Sequence, residues 1–580
     1  MPSTPAARTA SPGRYHRVSK KKSGGATYTP AALADFVAQK IVRAADLGKG
    51  TPRLRVLDPA VGDGALLLSL LAHLPPGSFA AISVHGFDTD RAALATARRR
   101  LQAAFPHVAL HLAAGDFLDA GPPAHKRSGD ELFDLVIANP PYVRTQILGT
   151  RQAQELAAAF GLKGRVDLYF AFLMGIAQVL RPGGVAGVIV SNRFMTTRAG
   201  AAVRAALRQR FRLRQVWDLG DTKLFDAAVL PAVLLAEGRR PEAPAASAPA
   251  TFTSIYETDA PAEHSASDPL AALELEGAVA VADGRRFLVR QGLLDCGGEG
   301  DPGAVWCGAS AKSDAWLRTV AAHTWGQFRD LGRARVGIKS CADPVFIRCD
   351  WCELPARSRP ELLRPIITHH IARRFRADEA QAQRQILYPH ECVQGERRPI
   401  DLENYPRSRR YLEAHRSQLE SRTYLLAAGR RWYELWVPQD PAAFSASKLV
   451  FRDIAREPTF WIDQQGHIVN GDCYWMIAEK PHTDELLWLA AAVANSTFCT
   501  AFYDQRFNNR LYAGRRRFIA QYVEEFPLPD PEKPPGRELI ALAKQIYRDI
   551  DQIDAQSHLQ LAERLNAKVW AAFGLARTSC

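Results

Sequence analysis

The sequence predicts an α/β fold: a doubly wound, mostly parallel sheet of seven strands, followed by a second domain of mixed α+β character. Short apolar runs alternate with helical patterns up to about Gly238, and the right-handed crossover rule turns such alternation into a parallel sheet. The first clear strand breaks into glycines ahead of an apolar helix, as ligand-binding folds of this class do. From about Trp316 the composition shifts to interleaved aromatics and arginines, and a chain of 580 residues is too long for one compact core.

Residues 1–25, with Arg8, Arg14 and Lys20-Lys21-Lys22, read as a basic disordered tail that adds at most nonspecific phosphate contacts. Tyr28-Thr29-Pro30 stands ahead of an amphipathic helix. Leu54-Arg-Val-Leu-Asp58 is the first strand, and in the loop Pro-Ala60-Val-Gly62-Asp-Gly64 the glycines let the backbone approach a ligand closely. A helix starting near Ala65 then places free N–H groups at the strand's carboxyl end. The third glycine of a dinucleotide fingerprint is missing, since Leu67 stands there, and Asp58 suits a cationic, amino-acid-bearing ligand better than a pyrophosphate. The next strand, Ile82-Ser-Val-His-Gly-Phe, ends in Asp88, whose carboxylate can accept both hydroxyls of a ribose. Val108-Ala-Leu-His-Leu leads to Gly115-Asp116-Phe117, where Asp116 can accept from an adenine amine and Phe117 can pack on its ring. Taken singly, Asp88 also reads as a solvated strand end and Asp116 as a turn cap. Their order on successive strands favours the ligand reading.

The apolar run Phe133-Asp-Leu-Val-Ile-Ala138 delivers Asn139-Pro140-Pro141-Tyr142. An amino group conjugated to a heteroaromatic ring is a poor nucleophile; the Asn139 amide oxygen and the Pro140 carbonyl, accepting its two N–H bonds, push its lone pair toward an incoming methyl group. The prolines stiffen the loop, and Tyr142 offers a flat face on which an extruded base can stack. A Pro-rich turn closing a buried strand is the plain alternative. Met174, Phe170 and Phe172 lie at helical spacing and read as core.

In this order the motifs resemble the N6-adenine DNA methyltransferases of restriction-modification systems, of the gamma class with TaqI-like motif order. Asp167-Leu-Tyr-Phe, Leu180-Arg-Pro-Gly-Gly and Leu219-Gly-Asp-Thr-Lys-Leu-Phe225 continue the pattern. The resemblance implies a Rossmann-like methyltransferase sheet over residues 26–238 and S-adenosyl-L-methionine as donor. It implies donor contacts from Thr29, Asp58, Ala60, Gly62, Gly64, Asp88, Asp116, Phe117 and Pro140, and catalysis by Asn139, Pro140 and Tyr142. One departure stands out. Some family members carry an aromatic late in the last strand, on the second face of the flipped base, where this chain reads Val233-Leu-Leu-Ala-Glu; Phe194 and Phe225 are left unassigned.

Residues 239–315, rich in Ala, Pro and Ser at first, read as a linker and connecting segment, and 316–530 as a target-recognition domain. Candidate DNA-binding residues are Arg430, Arg431, Trp432, Asn508, Arg510, Arg515 and Arg516, since arginine pairs with guanine or phosphate and asparagine with adenine edges. Arg430 to Trp432 alone also read as a solvated strip. Val336-Gly-Ile-Lys, Leu387-Tyr-Pro and Phe526-Pro-Leu-Pro529 loosely follow the recognition half of the same family. Residues 531–580 read as a helical segment.

A net charge of +13 and a pI near 9.4 favour a polyanionic partner. No window reaches the apolar length of a bilayer span and the start lacks a secretory signal, so no membrane association and a cytoplasmic location are expected. The nine cysteines show no disulfide framework, and no metal is expected at Cys341, Cys349, Cys352, His390 and Cys392. Methyl transfer from a sulfonium to an amine needs no metal and no thiolate. The expected function is therefore site-specific N6-adenine methylation of double-stranded DNA by a monomer, with a restriction endonuclease partner implied by the resemblance. Methylation of an RNA base or of a release-factor glutamine, and a non-catalytic nucleic-acid-binding module, remain alternatives.

Overall fold

The structure is a computed structural model that describes residues 29–45, 47, 53–120, 131–142, 155, 158, 167–225, 230–240, 249–297, 300–378, 384–479, 483–507, 511 and 514–576. The basic tail, Tyr28, Asn508 and Arg510 lie outside the described residues. The chain divides into two compact units, Met1–Ser310 and Ala311–Cys580.

The first unit is built on one sheet. Its strands are β1 (Arg53–Asp58), β2 (Ala81–Asp88), β3 (Ala109–Ala114), β4 (Phe133–Ala138), β5 (Leu180–Ser191), β6 (Phe211–Asp218) and β7 (Pro231–Gly238), in the spatial order β3-β2-β1-β4-β5-β7-β6. All pair parallel except β7, which runs antiparallel between β5 and β6. The order reverses between β1 and β4, where Leu57 pairs with Val136. At such a reversal the following loops leave in opposite directions and open a crevice at the strands' carboxyl ends.

Alternation along each strand sends side chains to two apolar layers. Leu135 and Ile137 of β4 join the layer formed by α1 (Ala31–Ala44), α2 (Ala65–His73) and α3 (Arg91–Ala104), whereas Val136 and Ala138 join that of α4 (Leu168–Val179) and α5 (Ala201–Arg210). Met174, Phe170 and Phe172 are core residues of α4, as their spacing predicts. Gly187 lets α1 approach β5, because a Cβ there would come within 2.7 Å of Ile41.

Residues 239–315, expected to be a connector, instead extend this sheet. After residue 248 the chain forms β8 (Thr251–Glu257), which pairs parallel with β6, followed by β9 (His264–Ala266), β10 (Gly277–Val281), β11 (Arg286–Asp295) and β12 (Cys307–Ala309). The reason is burial: in β8 Phe252 to Tyr256 are all buried, so the strand covers an edge that β6 would otherwise present to solvent. Buried Arg204 of α5 locks the end of the extension, donating to the carbonyls of Gly303, Ala304, Phe194 and Thr197.

The second unit is mixed α+β. One four-stranded antiparallel sheet orders Arg335–Val336, Cys473–Met476, Lys448–Arg452 and Phe460–Asp463, and another joins Ile347–Arg348, Arg384–Leu387, Leu363–Ile367 and Ile468–Val469. The helices Glu485–Ala494, Pro534–Asp549 and Ala555–Ala572 share one core, so the C-terminal helices are integral to this unit. Among the described residues no single helix is long and apolar enough to cross a membrane.

Candidate active site

Every first-unit residue expected to act lies at or just beyond the carboxyl edge of the sheet, except Thr29, which sits ahead of α1. Gly62 and Gly64 adopt φ of +54° and +85°, open to glycine at little cost, and a Cβ on Gly64 would come within 3.0 Å of Ala97. The glycines therefore serve both the loop and the close approach of α2 to α3. Gly86 acts alike beneath the loop: a Cβ there would lie 2.3 Å from Val61.

Asp58 is fully buried at the end of β1. Its Oδ1 accepts the Ala60 N–H at 2.9 Å, while Oδ2 is buried with no hydrogen-bond partner. Burial pushes its carboxyl up to about 7; the Ala60 N–H opposes this and the nearby Asp88 adds to it. A buried carboxylate with one idle oxygen is a site waiting for a cation or donor, as the ammonium of an amino-acid-bearing ligand would supply. Asp88 accepts the Gly62 N–H at 2.7 Å and the Asp90 N–H at 2.7 Å, leaving further lone pairs for ribose hydroxyls. Asp116, half-buried and raised by burial against the Leu118 N–H bond, caps its own turn. The turn cap leaves the carboxylate with capacity for a ligand as well. Phe117 is a core ring, 4% exposed, packed between Phe87 and Phe172 with centroids 5.8 Å from each. It packs the core beneath the loops and offers little free face.

On the adjacent strand, Asn139 is half-buried and its Nδ2 donates to Thr29 Oγ1 at 3.0 Å, while Pro140 is buried. The Tyr142 hydroxyl is buried without a hydrogen-bond partner, and burial raises its pKa. Its ring meets Tyr169 edge-on at 6.3 Å. Phe194 is fully buried against Trp306, so it is not placed to cover a second face of a base, and Phe225 is 7% exposed in the opposite core layer.

Sequence reasoning missed a polar cluster on this same edge. Asp218, buried at the end of β6, accepts from Tyr256 Oη at 2.6 Å, Asn192 Nδ2 at 3.0 Å and the Gly220 N–H at 3.2 Å. Burial pushes its carboxyl up to about 6 in spite of these bonds. Polar residues ending β5 and β6 were a usable signal, but Tyr256 lay inside the presumed linker.

In the second unit the residues expected to bind DNA differ in how they are held. Arg516 is 9% exposed and held by two bonds of 2.6–2.7 Å to Asp504, so it is a structural ion pair. Arg430 donates to the Leu435 and Trp436 carbonyls and lies over the Trp436 ring, and Trp432 is half-buried beneath Arg416. Arg430 thus braces its own loop, and Trp432 packs against the helix Arg416–Glu420. Arg431 is exposed although bonded to Tyr433 Oη at 2.7 Å, and Arg515 is exposed. His390 is buried with Nε2 accepting the Leu435 N–H at 3.1 Å, while Cys341, Cys349 and Cys352 are exposed and Cys392 half-buried.

Comparison with known proteins finds relatives for both halves of the chain. Residues 84–225 match the Eco57I restriction-modification methylase family, and residues 396–528 match the TaqI-like C-terminal specificity domain. The Type II methyltransferase M.BanIII of Aneurinibacillus aneurinilyticus is 36% identical over 576 residues, spanning 96% of this chain and 98% of its own. The Type II methyltransferase M.PaeR7I of Pseudomonas aeruginosa is 26% identical, spanning 91% and 89%. Among solved structures, the DrdV–DNA complex shares the fold with a TM-score of 0.52 at 10% identity, covering 92% of this chain and 58% of that one.

Proposed function

Since the chain belongs to the Type II restriction-modification DNA methyltransferases, we propose that it methylates the N6 amine of adenine within a short sequence of duplex DNA. S-adenosylmethionine is its cofactor and, when bound, presents an electrophilic methyl group on a sulfonium. The observation that carries the reading is the placement of Asn139-Pro140-Pro141-Tyr142 on β4 directly beside the glycine loop of β1, at the point where strand order reverses.

Each residue then has a task. Asp58 and Asp88 hold the donor's amino-acid and ribose parts, and Asp116 its adenine. Tyr142 takes the flipped base on its ring, and the Asn139 amide oxygen with the Pro140 carbonyl accepts the two amine N–H bonds. The amine nitrogen, held by Asn139 and Pro140, takes the methyl group that the bound donor would supply as a sulfonium and release as a neutral thioether, and the proton it then sheds passes to solvent. Protection of host DNA from a cognate endonuclease, a cytoplasmic location and a monomeric state are part of the same proposal.

Incubation of the purified protein with methyl-labelled S-adenosylmethionine and genomic duplex, followed by digestion to nucleosides, tests the chemistry. Label in N6-methyl-deoxyadenosine is the expected result. Label on the cytosine amine, or only in an RNA substrate, contradicts it.

A further inference from the structure

We infer that the Thr29 hydroxyl is a positioning residue for methyl transfer, holding the Asn139 carboxamide in place against the acceptor amine. The two residues are 110 positions apart, yet Asn139 Nδ2 donates to Thr29 Oγ1 at 3.0 Å. The inference rests on the role proposed for Asn139, and adds to Thr29 a task distinct from holding the donor.

A carboxamide has a donor end and an acceptor end of almost the same shape, and rotation by half a turn about the Cβ–Cγ bond exchanges them. Only the acceptor end helps an amine whose lone pair must attack. The flipped rotamer would point an N–H at another N–H and withdraw the assistance altogether. Because Nδ2 is committed to Thr29, Oδ1 occupies the other end of the group. The control is only as good as the rigidity of Thr29, and the local sequence supplies that. Pro30 restricts the preceding residue to extended backbone. Pro30 also starts α1, its carbonyl accepting the Ala34 N–H at 3.0 Å. Leu33, Val37 and Ile41 then anchor α1 in the core with no exposure. A hydroxyl on a loop free to move could not hold the carboxamide still; this one is tied to the same apolar layer as β4 itself.

The loop Asn139-Pro140-Pro141 contributes the second half of the restraint, since its prolines leave the Asn139 backbone little freedom. The remaining freedom lies in the side-chain torsions, and the hydrogen bond to Thr29 acts there. Thr29→Val keeps the shape and removes the acceptor, whereas Thr29→Ser keeps the acceptor and removes a methyl group.

The test compares the full-length wild type with both variants and with Thr29→Ala, using methyl-labelled S-adenosylmethionine and genomic DNA at saturating donor. Donor affinity is measured separately by calorimetry. Thr29→Val and Thr29→Ala are expected to lower kcat at saturating donor about tenfold or more, the worth of one hydrogen bond realised at the transition state, whatever the change in donor Kd. Thr29→Ser is expected to restore the rate. A wild-type rate in either hydroxyl-less variant overturns the inference while leaving the proposed function standing. So does a rate defect that vanishes at saturating donor, which would make Thr29 a donor contact only. No methyl transfer to DNA by the wild type would instead refute the underlying function, and is thereby distinguished from both.

Discussion

The Gly62 N–H donates to Asp88 Oδ2 at 2.7 Å, and the other oxygen of the same carboxylate takes the Asp90 N–H. A single side chain at the end of β2 thus fixes the loop that follows β1. Asp88→Ala removes both the anchor and the ribose acceptor. Loss of one charge-assisted bond costs about 1.5–3 kcal/mol, so donor affinity should fall by about 10- to 100-fold in a calorimetric titration. Unchanged affinity would show that Asp88 is a solvated strand end after all.

Asp58 makes donor binding sensitive to pH. Its folded-state pKa, about 7, lies above the ordinary 3.8 because of burial. The sign follows: the stability linked to the protonated carboxyl is fully present below the unfolded value and is lost as pH rises through about 7. A cationic donor prefers the ionised form, so its affinity should increase as pH rises through the same range. Binding near pH 6 should release a proton, detected as a dependence of calorimetric heat on buffer ionisation enthalpy. Asp58→Asn should abolish that release, and a wild type that releases no proton would contradict the assignment.

Arg516 should behave as a structural residue. Its two bonds to Asp504 are buried, and removing one partner of such a pair costs about 3–5 kcal/mol. Arg516→Ala is expected to lower the denaturation midpoint markedly, and to leave the salt dependence of DNA binding unchanged in the protein that remains folded. By contrast, Arg515→Ala should be nearly neutral for stability, because that side chain is exposed. If Arg516→Ala instead reduces the slope of log affinity against log salt by about 1 at full stability, Arg516 contacts phosphate.

The catalytic half was legible because its signals are local. A strand, a glycine loop and a helix follow one another within a few residues, and Asn139 to Tyr142 sits where the apolar run of β4 ends. The extension of the sheet was not legible. Ala, Pro and Ser at 241–250 mark a break, but Phe252-Thr-Ser-Ile-Tyr256 is a short strand whose burial depends on pairing with β6, and that pairing is non-local. The antiparallel insertion of β7 between β5 and β6 is of the same kind. In the second unit, charge alone did not show that Arg516 is paired with Asp504, or that Arg430 also donates to the Leu435 and Trp436 carbonyls. Whether an arginine is free is decided by tertiary partners, which composition does not encode.

The most direct measurement of the central claim is made in cells. The chain and its Asn139→Ala variant are expressed in a host without adenine methylation, and the genomic DNA is sequenced by a method that reports modified bases. The account predicts N6-methyladenine confined to one short motif with the wild type, and its loss with Asn139→Ala. An unmodified genome from soluble wild-type protein, or methylation that persists in Asn139→Ala, would contradict it.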